Sequence, residues 1–191
     1  MKKYILASGS PDRKRLLTEA GFVPDKIIPA DIDETPFDAE LPADYVKRMA
    51  LEKTKSVHLQ HPNTPVLGAD TIVTVHGLII GKSKNDDEQR KVMQTLSGTT
   101  HQVLTAVCLI DENGKIYQDM SVMELTMKTL TDKEIEQYVA SRHWVGCAGF
   151  NNDAIMDSFT EKLSGSYSGM VGIPLCVVRK MFLDAKIIEN D

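Results

Sequence analysis

The sequence predicts an α/β or α+β fold on an elongated mixed sheet, and three stretches carry that prediction. Tyr4-Ile5-Leu6-Ala7 is a short apolar strand that runs through Ser8-Gly9-Ser10 into a helix opened by Pro11. Val66 to Val75 reads as a buried strand that turns at His76-Gly77 into Leu78-Ile79-Ile80. Val103 to Ile110 and Ile116 to Met127 are long strands, joined by Asp111-Glu112-Asn113-Gly114-Lys115 with its Asn-Gly turn signal. Helices mixed with strands, and hairpins among the strands, call for a mixed sheet.

The other elements follow in order. Pro11 sits near the first helical position, where a missing N–H costs nothing. Ile27-Ile28 is a short strand. Pro36 and Pro42 bracket a loop before a helix over residues 43–58, and Pro62 and Pro65 end that segment. A helix over residues 86–96 starts on Asp86-Asp87-Glu88. Thr131 and Glu134 have capping-box spacing for a helix reaching about residue 141. The C-terminal part reads as a short helix over residues 154–163, a Gly/Ser-rich loop, and a last helix over residues 174–184. There is no internal repeat, low-complexity tract or long linker. The 191 residues fit one large domain or two small lobes.

A hydrophobic content of 42% can build a substantial core. A net charge of −5 and a pI near 5.6 argue against a broad nucleic-acid surface, though a local basic pocket stays open. No apolar run approaches the roughly 20 residues of a membrane span. Met1-Lys2-Lys3 starts like a signal peptide, but the apolar stretch is short and Pro11-Asp12-Arg13 breaks it. The expectation is the first strand of a cytoplasmic protein. Cys108, Cys147 and Cys176 are odd in number and far apart, with no metal spacing. Cys108 and Cys176 lie in apolar runs and are expected in the core.

The strand–turn–helix start aims backbone N–H groups and a positive dipole end at one spot, which suits an anion. Ser8 and Ser10 bring hydroxyls there, and Arg13 can reach back in bidentate fashion. A capped helix with a surface arginine explains the same residues. Lys53 shares a helix face with Val46, Met49, Ala50 and Val57, so it either snorkels to the rim or meets an anion. Asp70 interrupts a buried strand, a costly place for a carboxylate unless a cation or metal offsets it, and Thr71 adds a hydroxyl beside it. Gly68 and Ala69 leave room for something to approach. Lys82 follows a strand end. Three cations and a carboxylate suit a polyphosphate with its divalent ion. Asp33-Glu34 is an acidic pair in a loop, where solubility alone explains it.

Taken in order, these segments resemble the Maf (septum-formation protein) family of nucleoside triphosphate pyrophosphatases. The matching pieces run from Leu6-Ala7-Ser8-Gly9-Ser10 and Arg13 through Asp33-Glu34, Ala50 to Lys53 and Gly68-Ala69-Asp70-Thr71. They go on with Gly81-Lys82, Leu96-Ser97-Gly98 followed by His101, Val103 and Thr105, Ser164 to Ser168, and Val171-Gly172-Ile173-Pro174-Leu175. The resemblance implies one domain over residues 1–191, with an inosine-triphosphate-pyrophosphatase-like fold of two lobes around a cleft on an elongated, twisted mixed sheet flanked by helices. It implies hydrolysis between the α and β phosphates of a nucleoside triphosphate, giving a monophosphate and pyrophosphate. Ser8, Ser10, Arg13 and Thr71 would bind phosphate. Asp70 would be the central carboxylate, with Glu34, holding a divalent cation (Mg²⁺ or Mn²⁺) and orienting water. Lys53 and Lys82 would neutralise developing charge. A homodimer is common in the family; neither a nucleic-acid polymer nor a membrane is implied.

The chain departs from the pattern at Trp144-Val145-Gly146-Cys147-Ala148-Gly149-Phe150-Asn151-Asn152-Asp153. The dTTP/UTP-type branch reads Lys-Ala-Gly there, then an aromatic and Ile-Gln-Gly. Cys147 before Ala-Gly is similar to the 7-methyl-GTP-type branch, whereas Trp144 and Ser164 to Ser168 are similar to the dTTP/UTP type. Asn151, Asn152 and Asp153 are either replacement base contacts or a turn. Cys147 reads as a packing residue, since no activating partner is evident. Ser83 follows Lys82 where the family has proline, which is expected to free the loop holding Lys82. The altered segment also allows a nucleotide-binding division regulator with little turnover.

Overall fold

The computed structural model describes residues 1–151 and 158–189. Among them, the strands are β1 (Ile5–Leu6), β2 (Lys26–Ile27), β3 (Val66–Val75), β4 (Leu78–Ile80), β5 (Thr100–Ile110), β6 (Ile116–Met127) and β7 (Thr160–Gly165). The helices are α1 (Pro11–Glu19), α2 (Pro42–His58), α3 (Asp86–Leu96), α4 (Asp132–Ser141), α5 (Tyr167–Val171) and α6 (Leu175–Asp184). The sheet runs β2-β1-β3-β5-β6-β7, with β4 on β3. It is mixed: β1 is parallel to β2 and β3, while β4 pairs with β3, and β7 with β6, in antiparallel fashion. The chain divides into two compact units, one of residues 1–71, 104–121 and 166–191, the other of 72–103 and 122–165.

In the first unit the two faces of the sheet are read by strand alternation. Tyr4, Leu6, Leu67 and Ala69 join Leu17 of α1 and Val178 and Phe182 of α6 in one core. Tyr4 meets Phe182 edge-on, ring centroids 4.9 Å apart. Ile5, Ala7 and Val66 point the other way, with Val57 of α2. In the second unit His76 and Gly77 both take positive φ, 52° and 78°, which suits the two-residue turn between β3 and β4. α4 carries the full capping box on Thr131 and Glu134. Trp144 is buried, and its Nε1 donates to the Val139 carbonyl at 2.9 Å.

Three expectations are corrected. Of the helix read over residues 154–163, positions 154–157 lie outside the described residues, and Thr160–Gly165 is strand β7. Most of its side chains are exposed, so no apolar period marks it; pairing with β6 makes it a strand. The Gly/Ser-rich stretch after it is not all loop, because Ser166 caps α5 by accepting from the Gly169 N–H. Cys108 is in the core as expected, but Cys176 is exposed.

Candidate active site

α2 places Val46, Met49, Ala50 and Val57 in the core, and Lys53 on the same side. Helix and strand come close because residue 68 is glycine. A Cβ there would collide with Thr54 Oγ1 and stand 3.3 Å from the Ala50 carbonyl oxygen. The room expected at Gly68 is therefore filled by α2 itself. This close approach carries Lys53 to the strand. Its Nζ donates to Asp70 Oδ1 at 2.6 Å and lies 2.9 Å from Glu34 Oε1. The inward lysine thus meets the protein's own carboxylates. The Asp70 and Lys53 side chains are only 10% and 13% exposed, against 55% for Glu34. Burial holds Asp70 above the usual aspartate range; Lys53 and Arg13 pull it down and Glu34 pushes it further up.

Glu34 sits on a loop that α2 ties down. The Tyr45 hydroxyl donates to the Glu34 carbonyl at 2.8 Å. Arg48 forks onto Glu40, with Nε to Oε1 at 2.7 Å and Nη2 to Oε2 at 2.6 Å, and donates to the Thr35 carbonyl. Its guanidinium also lies 3.8 Å from the centre of the Phe37 ring. Asp33 faces away from this task and closes a turn by accepting from Thr35.

The second cluster grows from the β1–α1 turn. Ser8 is buried, and its Oγ accepts from the Ser10 N–H and from Arg13 Nη1 at 3.0 Å. Ser10 caps α1 by accepting from the Arg13 N–H. Arg13 also donates from Nε to the Gly172 carbonyl at 2.8 Å and from Nη2 to Thr71 Oγ1 at 3.3 Å. Among the described residues, three of its five N–H donors are thus engaged by neutral acceptors, and two are left for an anion. Burial lowers its pKa, opposed by the fields of Asp70 and Glu34. Gly172 favours glycine because its φ is +126°, a backbone conformation that side chains rarely adopt.

Thr105 orders Thr71. Its Oγ1 donates to the Gly169 carbonyl at 2.8 Å and to Thr71 Oγ1 at 2.9 Å, one proton directed at two acceptors. Thr71 Oγ1 thus accepts from Thr105 and from Arg13 Nη2, and its hydroxyl helps to hold Arg13 in place.

Along β3, Gly68 and Asp70 point toward α2, while Ala69 and Thr71 point toward α1 and α6. The two clusters flank the strand beyond the carboxyl end of parallel β1, where ligands dock in α/β sheets. Ser8, Ser10, Arg13, Glu34, Lys53, Asp70 and Thr71 all belong to the first unit.

Lys82 stands in the second unit, exposed, in an isolated antiparallel bridge with Ala148. Its loop is not freed by the loss of proline. Ser83 Oγ donates to Gln89 Oε1 at 2.8 Å, and Lys84 and Asn85 are tied to Glu88. Cys147 is half-buried, and its N–H donates to the Trp144 carbonyl. The Asn151 N–H donates to the Tyr138 hydroxyl at 2.9 Å, whereas Asn152 and Asp153 lie outside the described residues.

Sequence reasoning gave no role to Thr105 and Gly172, which it met only as parts of the resemblance, and did not single out Tyr45, Arg48 or Gln89. Of these three, Gln89 had a signal, being a polar side chain four before Met93 and seven before Leu96 on a buried stripe. Among the described residues, no three His, Cys, Asp or Glu side chains gather as a metal cluster, and no helix is long and apolar enough to cross a membrane.

Chemically, the first unit offers an arginine among hydroxyls for an anion, beside two carboxylates converging on one ammonium. A mixed α/β fold with such a strand-end site belongs with proteins that handle small anionic ligands. The chain belongs to the Maf family, since residues 3–185 match the model of Maf-like proteins. A dTTP/UTP pyrophosphatase of Zymomonas mobilis subsp. mobilis is 40% identical over 182 residues, 95% of this chain and 90% of that one. One from Brucella abortus is 42% identical over 180 residues, 91% of this chain and 86% of that one. A HAM1 protein from Coxiella burnetii, 16% identical, superposes with a TM-score of 0.52 over 98% of this chain and 100% of its own, a likeness of fold.

Proposed function

We propose that this chain is a nucleoside triphosphate pyrophosphatase of the dTTP/UTP type, clearing surplus or modified nucleotides by hydrolysis between the α and β phosphates. The observation that carries the reading is the Lys53 ammonium held at 2.6 Å by buried Asp70 and at 2.9 Å by Glu34, with Arg13 raising charge complementarity alongside. The family and the names of the relatives support the substrate class.

Ser8, Ser10, Thr71 and the two remaining Arg13 donors bind phosphate oxygens. Asp70, once ionised, orients a water and takes its proton. Lys53 holds the Asp70 carboxylate in register and neutralises charge on the phosphoryl group. Lys82 does the same for the leaving pyrophosphate. The donor chemistry fits a hard divalent cation: Asp70 and Glu34 converge on one cationic position, and Mg²⁺ is held by one or two carboxylates with substrate phosphates and water. Asp70 and Glu34 would hold it; when bound, such a cation lowers the pKa of water and screens phosphate charge. A homodimer in the cytoplasm belongs to the same proposal and rests on the family resemblance.

The test is to incubate purified protein with Mg²⁺ or Mn²⁺ and a panel of nucleoside triphosphates, 7-methyl-GTP included, while quantifying monophosphate, pyrophosphate and orthophosphate. Equal monophosphate and pyrophosphate from dTTP and UTP, lost in Asp70→Asn, is the expected result. Preference for 7-methyl-GTP would reassign the base. Nucleotide binding without turnover would leave a binding protein.

A further inference from the structure

Gln89 is fully buried on α3, yet its amide does not serve the helix. Nε2 donates to the Gly149 carbonyl at 2.8 Å, and Oε1 accepts from Ser83 Oγ at 2.8 Å. The orientation is forced, because the Gly149 carbonyl only accepts and must face the amide nitrogen. One side chain therefore ties the residue after Lys82 to the segment Cys147–Asn151, where this chain departs from the dTTP/UTP pattern. Two further bonds run beside it: the Lys82–Ala148 bridge and the Gly149 N–H to the Gly81 carbonyl at 3.4 Å. Gly149 leaves no slack, since φ is +72° and a Cβ would stand 3.2 Å from Val73 Cγ2. All of these groups lie in one compact unit.

We propose that Gln89 is a positioning residue that locks the Lys82 loop to the Cys147–Asn151 segment, so that leaving-group charge and base preference are set by one buried amide. This deepens the function proposed above and rests on it. The amide has two separable halves. Its oxygen, through Ser83, does for the Lys82 loop what a proline ring would do by stiffness. Its nitrogen holds the Gly149 carbonyl, and with it the backbone that presents Phe150 and Asn151.

Two variants separate the halves. Ser83→Ala removes only the bond to the oxygen. Gln89→Glu keeps an acceptor for Ser83 but replaces the donor to Gly149 with a carboxylate oxygen. Dissociation constants and turnover are measured for dTTP, UTP, CTP, GTP and 7-methyl-GTP, with thermal unfolding recorded beside them to confirm a folded chain. Ser83→Ala should lower kcat about five- to tenfold on every nucleotide and leave their ranking intact. Gln89→Glu should compress the ratio of dissociation constants between best and worst base about tenfold. Variants that lose only thermal stability, with kcat and base ranking unchanged, would overturn the proposal. A wild-type chain that binds but hydrolyses nothing, while Gln89→Glu still compresses the ranking, would sink the enzyme and keep the positioning role. If Gln89→Glu does not fold, Gln89→Met must show the same compression; an unchanged ranking there overturns the proposal.

Discussion

Thr105 shows how far a residue can act from the substrate it serves. It is fully buried, touches no ionisable group, and supports Arg13 through Thr71. Thr105→Val keeps the shape and removes the hydroxyl. Thr71 and the Gly169 carbonyl would then both lose a donor. The expected cost is about 1.5–3 kcal/mol in transition-state binding, read as a ten- to hundredfold loss in kcat/KM, with Thr105→Ser restoring most of it. Recovery by serine separates hydrogen bonding from packing; equal losses in both variants would make Thr105 a packing residue. Gly68→Ala is a second residue-scale test. Its methyl collides with Thr54 Oγ1, so α2 must move off β3 and carry Lys53 from Asp70. A loss of about 1–3 kcal/mol in unfolding free energy is expected, with activity falling further than stability, and Thr54→Ala in the same chain should recover part of both. At this scale, Lys53 and Asp70 were legible because a charge on an apolar stripe breaks a pattern. The role of Thr105 was not, because a threonine in a strand breaks none, and it entered only as part of the resemblance. Gly68 was noticed but misread, since a small residue admits a ligand or a helix and only packing decides which.

At the scale of elements, the loop over residues 33–41 is held by side chains of α2, and Glu34 inherits its position from them. Arg48 is the main tie, joining Glu40, Thr35 and Phe37 at once. Arg48→Ala should release Glu34 while leaving the core of α2 intact. A tenfold or larger fall in kcat is expected, with a lower unfolding temperature beside it, because the Arg48 and Glu40 side chains are only 16% and 9% exposed and the variant leaves the Glu40 carboxylate unpaired. A lower unfolding temperature with kcat unchanged would instead make Arg48 part of the scaffold. Local signals found most elements: α3 and β6 match the bounds read from the sequence, and α4 carries the capping box that its spacing predicts. They failed at β7, where exposed side chains carry no period and backbone pairing with β6 decides. The tie between Arg48 and the loop was illegible for the same kind of reason, because Glu40 and Arg48 are eight residues apart and meet only once the loop folds back.

For the whole molecule, the response to acid turns on one buried histidine. His101 is 1% exposed, both ring nitrogens lack a hydrogen-bond partner among the described residues, and its ring lies edge-on to Phe150 at 5.5 Å. Burial lowers its pKa from 6.5 to about 4. The unfolded chain therefore binds a proton in that window and the folded chain does not, so stability is full above pH 6.5 and falls as pH drops toward 4. At 1.36 kcal/mol per unit, the loss approaches about 3 kcal/mol across the window and about 2 kcal/mol by pH 5. Asp70 works in the opposite sense. Its raised pKa means the folded chain holds a proton more tightly than the unfolded one, so it favours folding as pH falls toward 3.8. The two groups thus oppose each other at the acid end of the curve. Trp144, the single tryptophan, is buried in the same compact unit as His101 and reports its unfolding by fluorescence. Urea titrations of wild type and His101→Leu at pH 7.5, 6.0 and 5.0 should show a wild-type midpoint that falls with pH and a variant midpoint that stays nearly flat. Parallel curves would mean that His101 gains a proton acceptor inside the fold, and that the acid response of the chain is set by its carboxylates instead.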